Sequence, residues 1–467
     1  MYLTDEGIFG IVCTVSSTYV ILFILFGAFL LKSGAGDFII KLAQAVAGHR
    51  VGGPAKIAVV ASGFMGSISG SAVANTVATG SFTIPLMKKV GYRPHFAGGV
   101  EAAASTGGQL MPPIMGAGAF IMAQWTGISY LKIIAVATIP AIMYFVSVAY
   151  FVHIEALKHG IMPTPKEDLP RLGNVLKEGI HFTIPVIILV ALLVRGFTPT
   201  YAACISIGSI IAVSWFKKDT RMGIKDVLDA PCLYMGAKNT ISTAAILICV
   251  GIIIGVVAIT GVAITFSGVV MELSHGILFF AIILVMLASL VLGMGLPVTA
   301  SYIMLAVLAG PALVQMGVSL LAAHMIIFWY SQDANVTPPV CLAAFSAAGV
   351  AGSKPMRTGF ASWKLAKGLY IIPFLFAYTP ILFEGPVIEV IITALSALLG
   401  LLGFTVCWEG YLLRKMNIGE RAITVLATVF LFWPDNLIKV LGFIILAAIY
   451  LFQRVSIKRQ AQRVPAQ

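Results

Sequence analysis

Apolar runs of about twenty residues recur from Gly7 to Phe452, the length at which an α-helix crosses the roughly 30 Å hydrocarbon core of a bilayer. Backbone amides and carbonyls in that medium must be satisfied inside the structure, so the class that follows is an all-α polytopic membrane protein. The rest of the 467 residues allow little else: 59% are hydrophobic, 10% are charged and the mean hydropathy is +1.00, which excludes an ordinary soluble surface. The net charge of +12 comes from Lys and Arg in short groups between apolar runs, without interleaved aromatics, so it marks topology and not nucleic-acid binding. Six cysteines (Cys13, Cys204, Cys232, Cys249, Cys341, Cys407) form no CxxC pair and read as small core residues. His153, His159, His181, His275 and His324 are too irregularly spaced for a metal site, and Trp125, Trp329 and Trp433 suit a membrane-edge aromatic belt. The opening Met-Tyr-Leu-Thr-Asp-Glu lacks the basic start of a cleaved signal, so the first apolar run is expected to be a retained span.

Following the basic clusters orients the chain with its N-terminus outside and its C-terminus inside. A span over Gly7–Leu31 leads to Lys32, Lys41, Arg50 and Lys56, and Lys88, Lys89 and Arg93 mark the same side again. The intervening stretch divides near Ser69 into two half-length pieces, which predicts a re-entrant hairpin from the cytoplasm. Spans are expected over His95–Trp125, Tyr130–Ala156 and a pair turning near Arg195, with an interfacial helix over Met222–Lys238. Next come a span over Ile241–Met271, a second hairpin over Ile277–Met316 broken at Gly293-Met-Gly-Leu-Pro297 and entered from outside, and a span over Leu320–Val350. Two further helical pairs end at Arg454, Lys458 and Arg459.

An offset of 226 residues places Pro112-Pro113 on Pro338-Pro339 and Ser69-Gly70-Ser71 on Gly295-Leu296-Pro297. Each half therefore holds a broken hairpin followed by a span broken at Pro-Pro, and the predicted topology inverts one half relative to the other. Inverted repeats with paired discontinuous helices are the mark of a secondary transporter that binds its solute where the breaks meet. Gly permits the turn and Pro stops the helix, while exposed backbone carbonyls and nearby hydroxyl, amide or carboxylate oxygens suit a hard cation. The breaks carry such groups: Ser67, Ser69, Ser71, Asn75 and Thr76; Ser105, Thr106, Gly107, Gly108 and Gln109; Gly295, Thr299 and Ser301; and Ser331, Gln332, Asp333, Asn335 and Thr337. Small residues in membrane helices commonly serve close packing, so the clustering at four related breaks carries this reading and no single Ser or Gly does. Asp333 differs in kind, because an ionisable group inside a span marks function by default; Glu101 lies nearer the cytoplasmic end, where function and an interfacial structural role are equally open. Catalytic motifs are missing: there is no GxxxxGK[ST], no HExxH, and Gly66-Ser-Ile-Ser-Gly70 does not fit GxSxG.

Four runs, Gly63-Phe-Met-Gly-Ser-Ile-Ser-Gly-Ser-Ala-Val-Ala-Asn-Thr76, Ser105-Thr-Gly-Gly-Gln-Leu-Met-Pro-Pro113, Gly293-Met-Gly-Leu-Pro-Val-Thr-Ala-Ser301 and Asp333-Ala-Asn-Val-Thr-Pro-Pro339, together resemble the large membrane subunit of tripartite ATP-independent periplasmic (TRAP) transporters, in its TAXI branch. The resemblance spans nearly the whole chain. It implies an elevator-type importer of organic acids that is no enzyme, sits in a bacterial inner membrane and takes no cofactor beyond a coupling ion, sodium or alternatively a proton. Its implied partners are a periplasmic substrate-binding protein and a small four-span membrane subunit, either separate or fused ahead of this part. It further implies scaffold at 1–53 and 130–273, transport-domain repeats at 54–129 and 274–352, and C-terminal helices at 353–467. By motif, Ser67, Ser69, Ser71, Asn75, Thr76, Ser105, Thr106 and Gly107 would line the first half of the solute and ion site, and Gly295, Thr299, Ser301, Asp333, Asn335 and Thr337 the second. Sodium would fall to Ser69, Asn75, Ser105, Thr299 and Asp333. The competing readings are a stand-alone ion-coupled dicarboxylate symporter that needs no binding protein, and an intramembrane enzyme or structural membrane protein.

Overall fold

The computed structural model describes residues 7–463 except 166, 168, 218–219, 224–225 and 227–232. The described chain is helical, and seven of its helices are long and apolar enough to cross a membrane. α1 (Ile11–Ala47) does not stop at Leu31 as expected; it continues past Lys32 through a kink at Gly34 into an amphipathic second half. α2 (Gly53–Ser69) and α3 (Ala72–Lys89) form the first broken hairpin, and α4 (Pro94–Gly108) and α5 (Ala117–Thr126) the first interrupted span. There follow α6 (Tyr130–His159), α7 (Leu172–Val194), α8 (Pro199–Ser214), α9 (Leu233–Thr260) and α10 (Val262–Leu273). The single span expected over Ile241–Met271 is thus two helices, parted at Gly261 in the left-handed conformation. Eight of the seventeen residues of the interfacial helix expected over Met222–Lys238 lie outside the described residues, and its last six already belong to α9.

The second half repeats the first: α11 (Leu278–Leu292) and α12 (Val298–Gln315) are parted at Gly293–Pro297, and α13 (Leu320–Tyr330) and α14 (Leu342–Ala351) flank a break with one 3-10 turn at Asp333–Asn335. Both Pro-Pro bonds, Pro112–Pro113 and Pro338–Pro339, are cis. α15 (Pro355–Leu365), α16 (Gly368–Tyr378), α17 (Val387–Glu409), α18 (Ile418–Phe432) and α19 (Asn436–Arg463) complete the chain.

The two halves cross. α4 packs against α14 and α15, and α5 against α12 and α13, so each part of one interrupted span lies beside the opposite part of the other. Small residues make this possible: a side chain on Gly98 would meet Thr358 and the Ala347 carbonyl, and one on Gly118 would lie 2.5 Å from the Phe328 ring. Trp329, expected at the membrane edge, is fully buried instead, edge-on to Tyr144 and Phe376 with ring centroids 6.3 Å and 5.4 Å away. Its half-helix ends inside the protein and not at an interface. The cysteine reading also needs correction: Cys341 is buried, but Cys204 and Cys249 are exposed on the helix surfaces, and Cys232 lies outside the described residues. His324 is a packed histidine whose Nδ1 is 2.8 Å from the Tyr302 hydroxyl.

Candidate functional site

The first hairpin turns at Gly70, whose φ of +64° disfavours any side chain, and Ser71 then caps α3 by accepting a hydrogen bond from the Ala74 amide at 3.3 Å. This tip touches the first interrupted span. The Gln109 amide donates to the Gly70 carbonyl at 2.7 Å, and a Cβ on Gly70 would sit 3.0 Å from the Gly116 Cα. Below the tip, α2 and α4 approach backbone to backbone, since a Cβ on Gly66 would lie 2.8 Å from the Gly108 Cα and one on Gly108 2.6 Å from the Gly66 Cα.

This closeness builds a polar cluster. Asn75 donates to the Ser62 carbonyl at 3.0 Å and to Ser105 Oγ at 2.9 Å, which leaves its Oδ1 unpartnered. Ser105 in turn donates to Glu101 Oε1 at 3.1 Å. Glu101 is fully buried and also accepts hydroxyl protons from Ser62 at 2.5 Å, from Thr79 and from Thr83. Hydroxyl donors from three helices converge on this one carboxyl group, the arrangement that holds a carboxylate without a cationic side chain. Nearby, Thr76 and Thr106 are buried, and their hydroxyls and that of the half-buried Ser69 have no partner among the described residues. Ser67 is buried as well.

The second half reproduces the contacts but not the charge arrangement. Gly293, at the start of the break, faces Ser301 Oγ and the Ala334 side chain, and Ser289 Oγ donates to the Tyr330 carbonyl at 2.7 Å, so this hairpin also touches its interrupted span. Asp333 and Gln332 are fully buried, and none of their side-chain polar atoms has a hydrogen-bond partner of good distance and angle among the described residues, although the Ala334 amide and the Ser289 hydroxyl lie beside the Asp333 carboxyl group; the Ser301 hydroxyl is likewise unpartnered. Burying a polar group without a partner is costly, and a carboxyl group most of all. Thr337 pairs with the Tyr370 hydroxyl, Asn335 is buried, Thr299 is half-buried and Gly295 stands exposed in the left-handed conformation at the hairpin tip.

The sequence-predicted residues therefore fall into two groups. Asn75 and Ser105 are joined by a direct hydrogen bond, and Ser301 and Asp333 lie at one break, whereas Ser71 and Thr299 stand at helix starts nearer the surface. Tyr144 of α6 links the halves: a Cβ on Gly107 would be 2.2 Å from its ring, its hydroxyl donates to the Ala103 carbonyl at 2.8 Å, and its ring edge meets Trp329. Tyr144, Ser62, Thr79, Thr83, Ser289, Trp329 and Tyr370 were not among the expected site residues, since nothing in their local sequence shows what they touch.

Residues 3–383 match the family described as "Tripartite ATP-independent periplasmic transporter, DctM component". The chain belongs to this family. Its relatives include the C4-dicarboxylate TRAP transporter large permease protein DctM of Pseudomonas aeruginosa, 27% identical over 71% of this chain and 76% of that protein. The protein of the same description from Vibrio cholerae is 26% identical over 78% and 85% of the two chains. The 2,3-diketo-L-gulonate TRAP transporter large permease protein YiaN of Escherichia coli is 24% identical over 68% and 74%. The expected large membrane subunit of a TRAP transporter, a permease and not an enzyme, is what these matches show.

Proposed function

We propose that this TRAP permease is the membrane subunit of a binding-protein-dependent importer, in a bacterial inner membrane, that takes up a small organic acid down a cation gradient. The observation that carries this reading is Asp333, a fully buried carboxyl group with no partner among the described residues, set in the break between α13 and α14. A sodium ion travelling with the solute suits the oxygen-rich surroundings of Asp333 and Ser301 in one half and of Asn75, Thr76 and Thr106 in the other; a proton on Asp333 is the alternative. The helix starts that face the breaks, at Ala72, Ala117, Val298 and Leu342, offer unpaired amides to an anionic solute. The relatives named for C4-dicarboxylates and 2,3-diketo-L-gulonate suggest a carboxylate or sugar acid.

In this reading the two hairpins re-enter the membrane from opposite faces, the N-terminus is periplasmic and the C-terminus cytoplasmic. The halves at 54–129 and 274–352 move as an elevator against the remaining helices, and a periplasmic binding protein and a small membrane subunit, as in the TAXI branch, complete the system. The test is uptake of labelled C4-dicarboxylates and sugar acids into proteoliposomes holding this chain, with and without the binding protein and small subunit, under imposed sodium or proton gradients. Uptake only with both partners and under one gradient is expected. Uptake by this chain alone would replace the proposal with a stand-alone symporter.

A further inference from the structure

The match to the TRAP family ends at residue 383, and α17 to α19 lie beyond it. Two of these helices, α17 and α18, close an apolar crevice of about 920 Å³ against α11 and α16. Met286, Phe374, Phe404 and Phe432 are among its walls. It opens sideways: Phe279 and Val429 at its rim are 47% and 45% exposed, while Leu375 and Thr428 in its floor are buried. In a chain that spans a membrane, sideways means toward lipid.

One end of the crevice is formed by Tyr370 and Trp408. Beside both rings sits the ammonium group of Lys367, 5.5 Å and 4.7 Å from their centroids and closer, 2.9 Å, to the ring of Trp363 just behind this end. Lys367 is buried and has no carboxylate within ion-pair distance among the described residues, whereas its neighbour Lys364 is paired with Glu155 and Glu409. Aromatic faces attract a cation without neutralising it, so an anion is missing at this end.

We propose that the crevice binds one anionic phospholipid of the bilayer, with an acyl chain lying along Phe374, Phe404 and Val429 and the phosphate paired with Lys367. A polar solute would find almost no hydrogen-bonding partner on these walls, and the bilayer supplies chains of the matching chemistry from the side the crevice faces. The bound lipid also reaches the transport site, because Tyr370 forms one wall of the crevice and holds Thr337 in the second break through its hydroxyl.

The test reconstitutes the full chain in phosphatidylethanolamine vesicles containing phosphatidylglycerol with a photoreactive acyl chain, and maps the cross-links by mass spectrometry. Labelling is expected to concentrate on the crevice and to fall about tenfold in Val429→Trp, which fills it, but not in Phe443→Trp on the outer surface of α19. Lys367→Gln should abolish a preference for phosphatidylglycerol over phosphatidylcholine that Lys367→Arg retains. If Lys367→Gln fails to fold by gel filtration, Val429→Trp decides alone. Labelling no denser in the crevice than at Phe443, undiminished labelling in Val429→Trp, or an unchanged headgroup preference in folded Lys367→Gln would overturn the proposal. So would displacement of the label by a co-reconstituted small membrane subunit, which would assign the crevice to a protein helix.

Discussion

Asp333 and Glu101 are both fully buried, but one has no side-chain partner among the described residues and the other is surrounded by hydroxyls. The repeat does not relate them, because the 226-residue offset sets Asp333 against Gly107 and Glu101 against Ile327. Their substitutions should therefore behave differently. Asp333→Asn keeps the shape and removes the charge; proteoliposome uptake should fall at least about tenfold, with its dependence on the coupling ion lost, while in sodium-free medium the melting temperature stays near that of the parent. Glu101→Gln replaces an acceptor of several hydroxyl protons with a group that also donates, and stability in detergent should drop by about 1.5–3 kcal/mol, read as a lower unfolding midpoint. The sequence flagged Asp333 because an ionisable residue inside an apolar span stands out locally. It left Glu101 open because the groups that define its role, Ser62, Thr79 and Thr83, stand 39, 22 and 18 residues away on other helices.

Breaks marked by Gly with Pro, or by Pro-Pro, were legible along the chain to within a few residues, since both residue types act on their own backbone. The break at Gly261 was not, because a lone Gly in an apolar run reads equally well as a helical packing residue. Trp329 was misplaced for a related reason: sequence places it near one end of a half-helix, while the helices that bury it come from elsewhere in the chain. The close contact of α2 and α4 gives an element-scale prediction. Gly66→Ala and Gly108→Ala each push a methyl group into facing backbone and should destabilise the protein by about 1–3 kcal/mol, whereas Gly349→Ala in α14, with open space around it, should be neutral or stabilising by about 0.5–1 kcal/mol. Thermal melts of the three variants check the contrast.

Across the whole molecule, two of the basic residues outside the spans, Lys158 and Lys364, anchor the C-terminal helices. Glu409, at the end of α17, meets Lys158 of α6 at 2.7 Å and Lys364 of α15 at 2.5 Å. Beside it, Arg414 pairs with Glu420 at 2.6 Å, and Gln453 of α19 binds the same Glu420 carboxylate at 3.1 Å. Glu409→Gln leaves Lys158 without its carboxylate and Lys364 with Glu155 alone, so the turn at 410–417 should become more sensitive to limited proteolysis while α2 to α5 stay protected. Charge bias along the sequence gave no sign of which of these residues form pairs, because pairing depends on how α6, α15 and α17 pack.

The solitary carboxyl group at Asp333 also has a thermodynamic consequence. A buried acid that the described residues leave unpaired makes the resting carrier depend on its surroundings, so an ion that settles beside it must also strengthen the fold. At constant ionic strength, exchanging choline for sodium should raise the unfolding free energy by about 1.4 kcal/mol for each tenfold rise in sodium above its dissociation constant, and the slope should vanish in Asp333→Asn. If a proton fills the position instead, the slope appears against pH and not against sodium. The coupling ion is thus readable from a melting curve, without any solute, partner or gradient.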